Sequence, residues 1–98
     1  MKELGFTEAK RRVIAALDSG RYQHAARNEI ETKNQLQTGQ ISASSLRSVL
    51  IRSKGQHHFS SPHHVASNIE VHVIKFDGWY VKFYFLDDPE TVFISVHR

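Results

Sequence analysis

The chain has 98 residues, 40% hydrophobic and 23% charged, which is enough for one globular domain with a modest core, so we treat residues 1–98 as a single domain. The absence of cysteine excludes disulfide bonds, thiolate metal sites and a cysteine nucleophile. The sequence contains no apolar run long enough to span a bilayer and no signal peptide, so it predicts a cytoplasmic protein without a membrane partner.

Basic residues are concentrated in the first half of the chain. Residues 1–55 carry ten Lys and Arg against five Asp and Glu, whereas residues 56–98 carry three against five. The N-terminal half is therefore expected to form a basic surface, which either contacts a polyanion or is simply solvated.

Helical periodicity dominates the beginning of the chain. Apolar residues recur every three or four positions between Thr7, a suitable N-cap, and Gly20, which suits the left-handed residue that ends a helix. A second, more polar helix is predicted from about Tyr22 to Thr38-Gly39.

A third helix and a transition segment follow. Ser42 or Ser44 is the predicted N-cap, and Gly55 closes the helix. Residues 56–68 are interpreted as an edge strand or an ordered loop.

In the last third of the chain the hydrophobic pattern changes to the two-residue alternation that is typical of β-strands. Residues 69–76 and 79–86 are rich in β-branched and aromatic side chains, and Asp77-Gly78 between them is a strong signal for a two-residue type I′ hairpin turn. A third strand is predicted over 91–97. The fold class is therefore α+β, with N-terminal helices packed on a C-terminal antiparallel sheet.

Strand register divides the sheet into two faces. A two-residue turn pairs Lys75 with Tyr80, and a four-residue second loop pairs Phe83 with Ile94. The predicted core face, which the helices cover, contains Ile74, Phe76, Val81, Phe83, Phe85, Val92, Ile94 and Val96.

The opposite face carries the leading candidate site. It collects cations, phenols and an imidazole, namely Lys75, Tyr80, Lys82, Tyr84 and His97. Ammonium groups can hold phosphates, and aromatic rings can stack on unpaired bases, so this face suits RNA. The alternative is that Lys and Tyr are merely favourable residues on the solvated face of an antiparallel sheet.

Two further constellations are weaker. His57, His58, His63 and His64 offer imidazole ligands for zinc or copper, but they have no nearby carboxylate partners. His24 and Arg27 are three residues apart and would share one face of a helix. Together they could bind a phosphate, and the alternative is that they form an ordinary surface pair.

The layout resembles small bacterial toxins of the RelE-like ribonuclease superfamily, most closely the MqsR family of mRNA interferases and related domains that open with a His-Ala-x-x-Arg-like motif. Three stretches carry the resemblance: Leu17–Tyr22, the His24-Ala25-Ala26-Arg27 motif with the following helix, and the strand pair Gly78–Phe83 and Val92–His97.

The resemblance implies residue roles. Tyr80 stands where the family has a catalytic tyrosine, and His97 stands where it has a C-terminal lysine. His58 falls near the family's other catalytic lysine, and Glu70 near its glutamine, although Glu70 belongs to the predicted core face.

These arguments together lead to one hypothesis. The chain is predicted to be the toxin of a type II toxin–antitoxin system, a metal-independent endoribonuclease that needs no cofactor. Its partners would be mRNA, on or off the ribosome, and a cognate antitoxin. Tyr80, His97, His58 and Lys82 are the predicted catalytic residues, and Lys75, Tyr84, His24 and Arg27 would bind RNA. The alternatives are a non-catalytic RNA- or protein-binding module and a His-rich metal-binding regulatory domain.

Overall fold

A computed structural model describes residues 5–25, 34–63 and 68–98. The helices within these ranges are α1 (Phe6–Ser19), α2 (Gln35–Thr38), α3 (Ala43–Arg52) and a single 3₁₀ turn (Gly55–His57). None of the described helices is long and apolar enough to cross a membrane.

The strands form one five-stranded sheet with the order β1-β5-β4-β3-β2. Their bounds are β1 (Tyr22–His24), β2 (His58–Pro62), β3 (Glu70–Phe76), β4 (Trp79–Phe85) and β5 (Thr91–His97). Strands β2 to β5 are antiparallel, as predicted, and β1 is parallel to β5, so the sheet is mixed. The α+β class is confirmed, and the 56–68 segment contains the predicted edge strand, β2.

The helix ends follow mostly from local chemistry. Gly20 ends α1 with a left-handed φ of 76°, as predicted. The N-cap of α1 is Gly5 rather than Thr7, so that prediction is wrong. Ser42 caps α3, because its hydroxyl accepts the N–H of Ser45 at 3.1 Å. Helix α3 already ends at Arg52, whereas Gly55 was expected to close it.

The second predicted helix is wrong at its beginning. Tyr22 starts strand β1, whose partner is Thr91 on β5. The free edge of β5 offers this segment a hydrogen-bonding partner, and that pairing overrides the helical pattern. Residues 26–33 lie outside the described residues, and α2 ends at Gly39, as predicted, with a φ of 86°.

Helices α1 and α3 cover one face of the sheet. The apolar core between these helices and the sheet consists of Val13, Leu17, Leu36, Ile41, Leu46, Leu50, Ile74, Val81, Phe83, Phe93 and Val96. The β3–β4 hairpin has the predicted register, and both Asp77 (φ 54°) and Gly78 (φ 80°) have the positive φ values that a type I′ turn requires.

The β4–β5 register departs from the prediction after Lys82. Lys82 pairs with Ser95, but Phe83 pairs with Phe93, which leaves Ile94 as the extra residue of a β-bulge. Phe93 therefore enters the core, where it is fully buried, and the predicted pairing of Phe83 with Ile94 is wrong. The bulge also moves Val92 from the predicted core face to the face of Tyr84.

Candidate nucleic-acid interface

The sheet face opposite α1 and α3, here called the open face, carries Lys75, Tyr80 and His97 in one row. Register pairs Lys75 with Tyr80 and Tyr80 with His97, so three neighbouring strands each contribute one of these side chains. The Tyr80 and His97 rings stack with centroids 5.1 Å apart and planes 20° from parallel. Lys75 Nζ lies 5.7 Å from the centroid of the Tyr80 ring. The predicted row is therefore a contiguous cluster of a cation, a phenol and an imidazole.

Strand β2 places an aromatic residue beside this row, diagonal to Lys75, that the sequence pattern did not indicate. Phe59 pairs with Val73, which places it on the open face, and it is 54% exposed. Its ring centroid lies 5.5 Å from Lys75 Nζ, so the ammonium group contacts both Phe59 and Tyr80. Strand alternation would have identified Phe59 only if the pairing of β2 with β3 had been known.

The two remaining candidates on β4 lie further along the open face. Lys82 pairs with Val73 and Ser95 and is half-buried. Tyr84 pairs with Val71 and Val92, which are only 3% and 4% exposed. The open face is therefore buried around Tyr84, and Lys82 lies between that region and the accessible end that carries Lys75 and Phe59.

The backbone helps to define the state of the His97 ring. Nδ1 of His97 lies 3.4 Å from the main-chain oxygen of Arg98, and a carbonyl oxygen can only accept a hydrogen bond. This contact therefore requires the ring proton to be on Nδ1. In the neutral ring with that tautomer, Nε2 carries the lone pair and is the nitrogen that can accept a proton from a ligand.

His58 lies on the other face of the sheet, away from Tyr80 and His97. It pairs with Ile74, and its ring lies 5.7 Å from the Phe6 ring of α1. Nε2 of His58 is 2.9 Å from Nδ1 of His72, which is 1% exposed. The structure therefore brings His58 to a buried histidine and not to the other predicted catalytic residues.

Glu70 completes this second cluster on the core face, where the register predicted it. Its Oε1 lies 3.2 Å from Nε2 of His72, although the geometry is not that of a hydrogen bond. Burial lowers the pKa of His72 to about 4, assisted by the positive charges of His58 and Arg12. Burial also lowers the pKa of His58, against the opposing effect of Glu70. The same strand alternation that predicts Ile74 as a core residue also places His72 on the core face, so His72 could have been found from the sequence.

His24, one member of the predicted phosphate pair with Arg27, lies on strand β1 rather than on a helix. His24 pairs with Phe93 of the core, so it faces the helix side at the far edge of the sheet. Its Nδ1 lies 3.3 Å from the Asn34 amide nitrogen, and burial lowers its pKa. Arg27 lies outside the described residues.

The described histidines of the 57–63 segment do not converge on one point. The ring of His57 contacts Phe76 at 4.9 Å, and the ring of His63 contacts Tyr84 at 5.5 Å. His64 lies outside the described residues, and within the ranges that are described no three His, Asp or Glu side chains are grouped to hold a metal ion.

Comparisons of the chain with family models, with curated proteins and with solved structures find no match.

Proposed function

We propose that this protein binds single-stranded RNA on the open face and cleaves it without a metal ion, as the toxin of a bacterial toxin–antitoxin pair. The observation that carries the proposal is the stack of Tyr80 on His97 beside the ammonium group of Lys75. Rings on an exposed sheet can stack on unpaired bases, and an ammonium group between them can pair with the neighbouring phosphate.

The toxin role rests on the resemblance of the three stretches named above to the RelE-like superfamily, most closely to the MqsR family and related domains. Under this proposal the substrate is mRNA, on or off the ribosome, in the cytoplasm. Because unrestrained mRNA cleavage would harm the cell, the toxin needs a cognate antitoxin. Under this proposal the antitoxin binds the toxin and covers the open face.

The side chains of the row, together with Lys82 on the same face, suffice for cleavage through the ribose 2′-hydroxyl. Nε2 of His97 removes the 2′-hydroxyl proton, and the 2′-oxygen attacks the adjacent phosphorus. The bond from phosphorus to the 5′-oxygen breaks, and the Tyr80 phenol donates a proton to that leaving oxygen. Lys75 and Lys82 stabilise the negative charge that develops on the phosphate oxygens. The products are a 2′,3′-cyclic phosphate and a 5′-hydroxyl end.

The experiment compares the wild type with a Tyr80→Phe/His97→Ala double variant, by induced expression in bacteria and with purified protein and RNA. The wild type should arrest growth and deplete mRNA, and the double variant should cleave at least about 100-fold more slowly, as expected when acid and base are removed. Neither substitution alters the apolar core. Tyr22→Phe is the matched control, because it removes the same hydroxyl from a tyrosine on the edge strand β1 that packs against the core rather than in the row.

The chemistry of the RNA ends separates this proposal from its rivals. Cleavage should leave 2′,3′-cyclic phosphate and 5′-hydroxyl ends in the presence of EDTA. Wild-type protein that retards RNA but leaves it intact would make the chain a non-catalytic binder. Activity that EDTA abolishes would exclude the metal-independent mechanism.

A further inference from the structure

A cleft of about 450 Å³ lies at the tip of the β3–β4 hairpin, next to the row on the open face. Its lining consists of His57, Lys75, Phe76, Trp79, Tyr80 and the Asp77-Gly78 turn. Four of these residues contribute rings, and its volume falls within the range of about 300–1,000 Å³ that is typical of small-molecule sites. Because Lys75 and Tyr80 belong both to the cleft and to the row, an RNA strand lying on the row would reach the cleft without a gap.

Cations surround the aromatic lining of this cleft. The Arg52 guanidinium lies 5.5 Å from the Phe76 ring centroid, and the Arg98 guanidinium lies 5.3 Å from that of Trp79. Arg98 also donates a hydrogen bond of 3.0 Å to the main-chain oxygen of Asp77. Asp77 is the single carboxylate among the lining residues and is 3.4 Å from Arg52. The combination of flat apolar walls and a cationic rim suits a planar ligand attached to anionic groups.

We propose that this hairpin cleft is a subsite for one unpaired nucleobase, whose flanking phosphates are held by Lys75 and Arg98. The proposal rests on the proposed RNA binding and adds to it a requirement for single-stranded substrate. A base in a duplex is stacked and paired, so it cannot enter a cleft at the edge of a sheet without being extruded. An unpaired base can stack on the cleft rings while its phosphates remain at the cationic rim.

Trp79 supplies a direct reporter, because it is the only tryptophan in the sequence and lines the cleft. The probe is a short 2′-O-methyl RNA oligonucleotide, which lacks the 2′-hydroxyl needed for cleavage. Its binding is followed by the anisotropy of a terminal label and, with unlabelled oligonucleotide, by Trp79 fluorescence. We expect both signals to saturate at the same concentrations, with Trp79 fluorescence quenched. The same oligonucleotide annealed to its complement should leave Trp79 fluorescence unchanged.

Two lining variants test the contacts. His57→Ala removes one wall of the cleft and should weaken binding of the single strand about fivefold, the loss of a modest stacking contact. Asp77→Asn retains the turn, because Asn-Gly is also favoured in type I′ turns, and removes the carboxylate, so binding should become about twofold tighter. Because Asp77→Asn is expected to fold normally, it keeps the test valid even if His57→Ala is unstable.

The outcomes separate the subsite from the proposed function. Anisotropy that reports binding while Trp79 fluorescence stays constant would overturn the subsite and leave RNA binding intact. Equal quenching by the duplex would overturn the requirement for an unpaired base. The absence of any anisotropy change would overturn RNA binding itself, and the subsite with it.

Discussion

The buried histidine His72 makes folding stability depend on pH in a way that can be measured. Its side chain is 1% exposed and stacks on the Phe83 ring, with centroids 5.6 Å apart. The charged groups that face it are Glu70 on its own strand, His58 on β2 and Arg12 on α1. Protonation of His72 would place a positive charge in this site beside two other potential cations, and only Glu70 would favour it.

The sign and magnitude follow from the lowered pKa. The pKa of His72 falls from 6.5 to about 4 on folding, mainly because of burial. Between those two pH values the unfolded chain binds a proton that the folded chain does not, so the free energy of unfolding decreases as the pH falls. The whole fall in the pKa corresponds to about 3 kcal/mol in the free energy of unfolding. About 2 kcal/mol of this is lost when the pH is lowered to 5. These are upper values, because the carboxylate of Glu70 at 3.2 Å opposes the shift.

Urea unfolding at pH 7.5 and pH 5, followed by circular dichroism, measures this loss. His72→Gln cannot titrate and should lose much less stability between the two pH values than the wild type. The matched variant His58→Gln removes a neighbouring charge but leaves His72 buried, so it should retain much of the pH dependence. A wild-type free energy of unfolding that is equal at both pH values would refute the reasoning, because His72 would then ionise in the folded state as readily as in the unfolded chain.

Two more predictions concern the open face and helix α3. Lys75→Gln should make the dependence of log Kd for RNA on log salt concentration shallower by about 0.7 to 1, because one phosphate contact is lost. Arg47→Gln should leave that slope unchanged, since Arg47 pairs with Asp18 on the helices, and equal slopes for all three proteins would contradict the assigned role of Lys75. Ser42→Ala should lower the free energy of unfolding in urea by about 1 kcal/mol through loss of the N-cap, whereas Ser44→Ala should have little effect, and equal losses would contradict the capping assignment.

Several features of this protein follow from its sequence alone because their causes are local. Gly20 and Gly39 end helices since glycine adopts positive φ without a side-chain clash. Asp77-Gly78 determines the hairpin turn, and that turn determines the pairing of Lys75 with Tyr80. The row on the open face was predictable to the extent that it depends on this turn and on strand alternation.

Other features depend on contacts between distant parts of the chain, and only the tertiary structure decides them. The segment from Tyr22 becomes a strand because the edge of β5 is available to pair with it, an interaction that its helical pattern does not reveal. The bulge at Ile94 allows Phe93 to pack against Phe83 in the core, and one extra residue reverses the faces of all the side chains that precede it in β5. Likewise Phe59 joins Lys75 only through the pairing of β2 with β3, because side chains 16 positions apart meet only when the strands that carry them are side by side.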